Sequence, residues 1–216
     1  MTAGLEQPMT GLYATAPAPL PFQAGVVVRS FVLQRGSEST IIYNSPGIGA
    51  AVEGIRALGE PSHLLVNHWH EAMYGPPRLQ VPVLVHQDDR AHTEPSLPVD
   101  ATFTERGWIG DDLELVPTPG HTAGVTTFLW DSGEHRFLFS GDSIWVQGGQ
   151  WKVVVLGDSN RADYLNSLAL IRELDFDVLV PWGAETGAPC FDVVTRSQAR
   201  QRIDTLIERV EAGGSQ

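Results

Sequence analysis

Two imidazoles stand two residues apart in Asn67-His68-Trp69-His70, directly after the apolar run His63 to Val66. If the backbone stays extended there, residues i and i+2 project to one side. Two neutral imidazoles aimed at one point suit zinc or iron; the same spacing also occurs as an incidental surface pair. Further along, Pro117-Thr118-Pro119-Gly120-His121-Thr122-Ala123-Gly124 reads as a strand end followed by a turn that presents a histidine, with Gly120 permitting the tight backbone. In Phe139-Ser140-Gly141-Asp142-Ser143 a carboxylate sits on a glycine turn beyond an apolar strand. His121 also reads as a plain turn residue and Asp142 as an Asx-turn former. All three segments lie at strand ends, in the loops where scaffolds place ligands.

In order, spacing and flanks, these segments resemble the metallo-beta-lactamase superfamily. Its pattern is His-x-His-x-Asp-His after a strand, a histidine in a Pro-Gly-His-Thr-x-Gly turn, an Asp in a Ser/Thr-Gly-Asp turn, and a last histidine near the C-terminus. The likeness runs from about Phe31 to about Gly187, and it implies an α/β fold, an αββα sandwich of two packed mixed sheets with outer helices. It further implies that His68, His70, His121 and Asp142 hold a metal. Three histidines are the ligand set of a mononuclear catalytic zinc, with Asp142 a fourth ligand or an orienting base.

The departures fall together. Where the pattern has Asp and His, this chain has Ala72 and Met73, and Trp182-Gly183-Ala184 stands where the last histidine is expected. Those missing groups are the family's private ligands to a second metal. The resemblance therefore implies one zinc or iron ion per chain, or none if the site is dead. Three functions follow from it: a hydrolase acting on an ester, thioester or lactone; a non-catalytic member serving binding or assembly; and an iron persulfide dioxygenase-like oxidoreductase using His68, His121 and Asp142. Glu71 is a second base candidate, although its alternation with His70 points it away from the pair.

The elements that must position these groups read as short apolar, β-branched runs bounded by Gly, Pro, Asn, Asp or Ser. The pattern predicts strands at 25–34, 39–43, 63–66, 81–86, 113–117, 125–130, 137–140 and 177–181. Helical spacing appears at 49–58, 161–174 and 195–211, the second opened by Asn160 or Ser159 as cap. His86 and His92 flank Asp88-Asp89-Arg90 in what reads as a solvated loop, and His63 and His135 read as structural.

The whole chain, 1–216, reads as a single domain, in which residues 1–22, with their Pro/Ala-rich stretch, can be loosely ordered. With 14 basic against 26 acidic residues the net charge is −12. That field repels phosphate backbones and anionic bilayers, so a small-molecule substrate or ligand is expected, with no nucleic acid and no membrane. One cysteine, Cys190, excludes an intrachain disulfide. No signal-peptide pattern and no apolar run of membrane length is present, which sets a cytoplasmic expectation.

Overall fold

The computed structural model describes residues 2–214. The chain divides after Phe103 into two compact units. In the first, seven strands form one mixed sheet in the order Leu5–Met9, Leu12–Thr15, Phe31–Arg35, Glu38–Ile42, Glu60–Leu65, Val83–His86 and Ala101–Phe103. The first three pairings are antiparallel and the last three parallel. Parallel neighbours need crossover connections. Here these are helix α1 (Ile48–Leu58), a 3₁₀ turn (Trp69–Tyr74) and helix α2 (Gln87–Thr93). The apolar stripe of α1, Ile48, Ala51, Ile55 and Leu58, is buried with Val32, Ile41, Leu64 and Val85 in the core of this unit.

A hairpin, Ala18–Pro19 with Val26–Val28, belongs to the same unit. The run expected as one strand over 25–34 is thus two, because the backbone carbonyl of Ser30 accepts from Thr15 and its N–H donates to the Thr15 hydroxyl, turning the chain. Residues 5–19, part of the opening expected to be loose, contain three strands. Their composition is rich in proline and alanine, but pairing of Leu12–Thr15 with Phe31–Arg35 supplies the order that composition does not.

In the second unit the sheet order is Gly107–Ile109, Leu113–Pro117, Thr126–Asp131, Arg136–Gly141, Val178–Pro181 and Asp192–Val193. Only the Arg136–Gly141 and Val178–Pro181 pair runs parallel, and helix α3 (Arg161–Glu173) is its crossover. Helix α4 (Arg196–Glu211) follows the last strand. Leu168 and Ile171 of α3 share a core with Ile203, Leu206 and Val210 of α4 and with Leu138 and Leu179 of the sheet. Three short strands, Gln150–Lys152, Trp145–Gln147 and Gly183–Glu185, are paired in that order. Asn160 caps α3 by accepting from the N–H groups of Ala162 and Asp163, and Thr195 with Gln198 forms a capping box on α4.

Candidate metal centre

The loops that carry the chemistry of the first unit leave the C-terminal ends of its parallel strands, where open α/β sheets expose backbone groups to a ligand. His68 is in extended conformation, φ −155° and ψ 159°, and caps the 3₁₀ turn in which His70 lies. The pair is therefore not one extended stretch, as the spacing suggested. The turn nonetheless keeps the two rings together, 5.1 Å apart and nearly perpendicular.

Glu71 explains why the chain turns here. Its side chain is fully buried. Oε2 accepts from the Asn44 N–H at 2.6 Å, and Oε1 from the N–H groups of Asn67 at 2.8 Å and His68 at 3.3 Å. Burial pushes this carboxyl's pKa up, while the His68 side chain and the backbone N–H groups of Asn44 and Asn67 pull it back down. The three backbone donors hold Glu71 beneath the loop, away from any substrate, which removes it as a base and makes it a clamp. The Asn44 side chain adds to the clamp by donating to the carbonyls of Glu71 and Gly75.

His68 is fully buried, and its Nδ1 lies 2.9 Å from the side-chain oxygen of Asn67. That oxygen only accepts, so Nδ1 carries the proton and Nε2 the lone pair. The same device recurs in the second unit, where Nδ1 of His121 donates to the Val154 carbonyl at 2.8 Å. The Nε2 of His121 and Oδ2 of Asp142 then stand 3.6 Å apart. Two acceptors at that separation repel unless a cation lies between them. Ligands on one tetrahedral zinc are roughly 3.3 Å apart, from bonds of about 2.0–2.1 Å.

Helix α3 builds this half. Gly120 has φ +145°, and a Cβ on it would lie 2.5 Å from Cα of Tyr164, so the turn and the helix touch backbone to backbone. Asn160 N–H donates to the Gly120 carbonyl, Ser159 Oγ to that of His121 and Ser167 Oγ to that of Pro119. Tyr164 Oη donates to the carbonyls of Ser143 at 2.6 Å and Asp142 at 3.2 Å, and accepts from the Val154 N–H at 3.2 Å. Burial and the Asp142 charge raise its pKa far above the phenol range, so it remains a donor. A single hydroxyl thus ties the Asp142 turn to Val154, the residue whose carbonyl orients His121. Tyr164 and Asn67 carry no motif of their own, which is why sequence reasoning passed over them.

Among the described residues, the side chains grouped so that they could hold a metal ion are His68 and His70 in the first unit and His121 and Asp142 in the second. Their donor types fit zinc or iron, and the Nδ1 anchors of His68 and His121 are the outer-shell contacts that metal-bound imidazoles use. Ala72 and Trp182 are buried, offering no ligand atom where the family pattern has one. Of the remaining histidines, His135 pairs with Asp177 at 3.0 Å, a structural contact as expected. His86 is not in a loop but caps α2, its Nδ1 accepting from the Asp88 N–H. His92, in that helix, lies against Trp69, ring centres 5.3 Å apart.

A family model described as the metallo-beta-lactamase superfamily matches residues 50–183. No curated protein matches the chain in sequence. Among solved structures the chain is similar to VMB-1, with TM-score 0.72 and 14% identity over 98% of this chain and 97% of that one. It is similar to a metallo-beta-lactamase from Pontibacter korlensis, with TM-score 0.68 and 14% identity over 97% and 99%. It is also similar to BJP-1, a subclass B3 metallo-beta-lactamase of Bradyrhizobium japonicum, with TM-score 0.65 and 17% identity over 98% and 94%. These likenesses establish the mixed α/β fold of that type. With more than half of its length matched by the family model, the chain belongs to the metallo-beta-lactamase superfamily.

Proposed function

We propose that this protein is a metal-dependent hydrolase that uses one zinc or iron ion, held by His68, His70 and His121 with Asp142 as a fourth ligand or an orienting base, to cleave an ester, thioester or lactone in a small molecule. The observation that carries this reading is the condition of the donor set. Both fully anchored histidines present Nε2 because their Nδ1 protons are bound to carbonyl oxygens. A scaffold that had abandoned the metal has no reason to keep both rings in the ligating tautomer.

When bound, such a metal supplies Lewis acidity and a water that ionises near neutral pH. The chain's own groups do the rest. Asp142, half-exposed, can accept a proton from that water or orient it, and Tyr164 holds the Asp142 turn in place. The acidic charge of the chain, −12, favours neutral substrates over anionic ones. Among the described residues no helix is long and apolar enough to cross a membrane. We extend the proposal to a cytoplasmic, small-molecule enzyme.

The non-catalytic reading has one observation in its favour, the buried Trp182 in place of a ligand. One experiment separates the two. The full chain, loaded with zinc or with ferrous iron, is assayed against neutral aryl esters, thioesters and lactones beside Asp142→Asn. The proposal expects turnover by the wild type and a loss of about a hundredfold or more in the variant. Metal uptake without turnover of any of these supports the non-catalytic member instead.

A further inference from the structure

Arg202, Thr205 and Arg209 stand at i, i+3 and i+7 on helix α4, so they share one face of it, apart from the core face of Ile203, Leu206 and Val210. Beside them packs the hairpin of Trp145–Gln147 and Gln150–Lys152, closed by Gly148 and Gly149 at φ +58° and +73°. Helix and hairpin enclose a cavity of about 230 Å³, lined by Gly149, Gln150, Trp151 and those three helix residues. At a liquid share of about 30 Å³ per water, it has room for about seven waters, enough for one ionic group with part of its hydration and too little for a drug-sized molecule. The cavity shares no residue with the candidate metal centre.

Two arginines bring charge to this cavity, and among the described residues no carboxylate lines it. Arg202 lies over the Trp151 ring, 5.3 Å from its centre, and pairs with Asp192, which also accepts from the Trp151 indole N–H at 2.7 Å. Ring and carboxylate thus hold this guanidinium in one orientation, while several of its five donors are left over. Arg209 has no ion pair or side-chain hydrogen bond among the described residues. Its stem is nevertheless confined, since a Cβ on Gly214 would lie 2.7 Å from Arg209 Cγ and the Gly214 N–H donates to the Arg209 carbonyl. The Thr205 hydroxyl donates to the Gln201 carbonyl, which leaves the two guanidinium groups as the charged donors of the cavity.

We infer that this cavity binds a tetrahedral oxyanion of the phosphate type, either free or as the head of a small phosphomonoester. Asp192 is the counter-ion of Arg202, and among the described residues Arg209 has none. An anion in the cavity supplies it and relieves the repulsion between the two cations. A planar carboxylate is satisfied by one guanidinium fork, whereas a tetrahedral anion presents oxygens to two forks at once. The net charge of −12 opposes anions over the molecule as a whole, so the affinity comes from these two side chains, a local reversal of the field. The inference does not depend on the hydrolase reading.

The chain has six tryptophans, so labelling with 5-fluorotryptophan gives a fluorine spectrum in which Trp151→Phe identifies the Trp151 signal. The full chain, metal-free and zinc-loaded, is titrated at constant ionic strength with inorganic phosphate, methyl phosphate, acetate and chloride. The expected result is a saturable shift of the Trp151 signal with phosphate or methyl phosphate in both forms of the chain, the tighter of the two showing whether the free ion or the ester is the ligand. Acetate should bind about tenfold more weakly or worse, and Arg209→Gln should weaken phosphate by about tenfold or more. Arg196→Gln makes the same change of charge on the same helix outside the cavity and should leave the affinity unchanged. No saturable shift, a shift that chloride reproduces, equal binding of acetate, or an Arg209→Gln chain that binds no worse than Arg196→Gln overturns the site. A shift seen only in the zinc-loaded chain also overturns it, placing the anion on the metal.

Discussion

Four side chains define the candidate site, and at the scale of the residue their quality depends on what stands behind them. Tyr164 is the clearest case, since one hydroxyl serves three peptides around His121 and Asp142. Tyr164→Phe keeps the ring and the core contacts but frees both turns. Its cobalt or zinc affinity should fall by about ten- to a hundredfold, the usual effect of removing an outer-shell contact. Competition with a coloured chelator measures this, and an unchanged affinity would show that the turns hold themselves. Glu71 makes the opposite prediction, one about stability. Glu71→Gln turns an amide donor toward buried N–H groups, at a cost of about 1–3 kcal/mol or more in urea unfolding, with Glu71→Ala costing at least as much. A variant as stable as wild type would contradict the clamp. The proposed metal ligands stand out in the sequence because each sits in a short turn motif at a strand end. Glu71 was legible only as a carboxylate near the pair, because its role depends on the 3₁₀ turn that brings it beneath Asn67 and His68, and no periodicity announces such a turn.

At the scale of the element, legibility followed apolar periodicity. The expected helix over 161–174 is Arg161–Glu173, and the strand expected at 113–117 has those bounds. Helix α2 was missed because Gln87–Thr93 has no apolar stripe. It is held by a local cap from His86 and by a tertiary bond in which the buried Asp89 accepts from the N–H of Trp69. The short strands Trp145–Gln147, Gln150–Lys152 and Gly183–Glu185 were missed for a related reason, each being only three residues long. Helix α3 matters most to function, since its first turns face the His121 loop. Asn160→Ala removes the side-chain cap and should cost about 1 kcal/mol in unfolding. Because the Asn160 N–H still bonds Gly120, metal affinity should change far less than in Tyr164→Phe. A cap variant that loses metal as severely as Tyr164→Phe would mean the helix start, and not the hydroxyl, positions the turn.

For the whole molecule, family membership was readable from the order of three motifs, while the division after Phe103 carries no mark in composition. The residues 101–107, Ala-Thr-Phe-Thr-Glu-Arg-Gly, look like any connection between strands. What distinguishes this member is subtraction. Ala72, Met73 and Trp182 stand where the family pattern has three ligands, while His68, His70, His121 and Asp142 are side chains that could hold a metal ion and, in the function proposed above, hold one. The most direct measurement of that claim is metal content per chain, by elemental analysis after reconstitution with zinc and, separately, with ferrous iron, beside His121→Ala. The expected result is about one ion bound per wild-type chain and almost none in the variant, the stoichiometry of a mononuclear three-histidine site. No bound ion, two ions, or uptake unaffected by His121→Ala would contradict it.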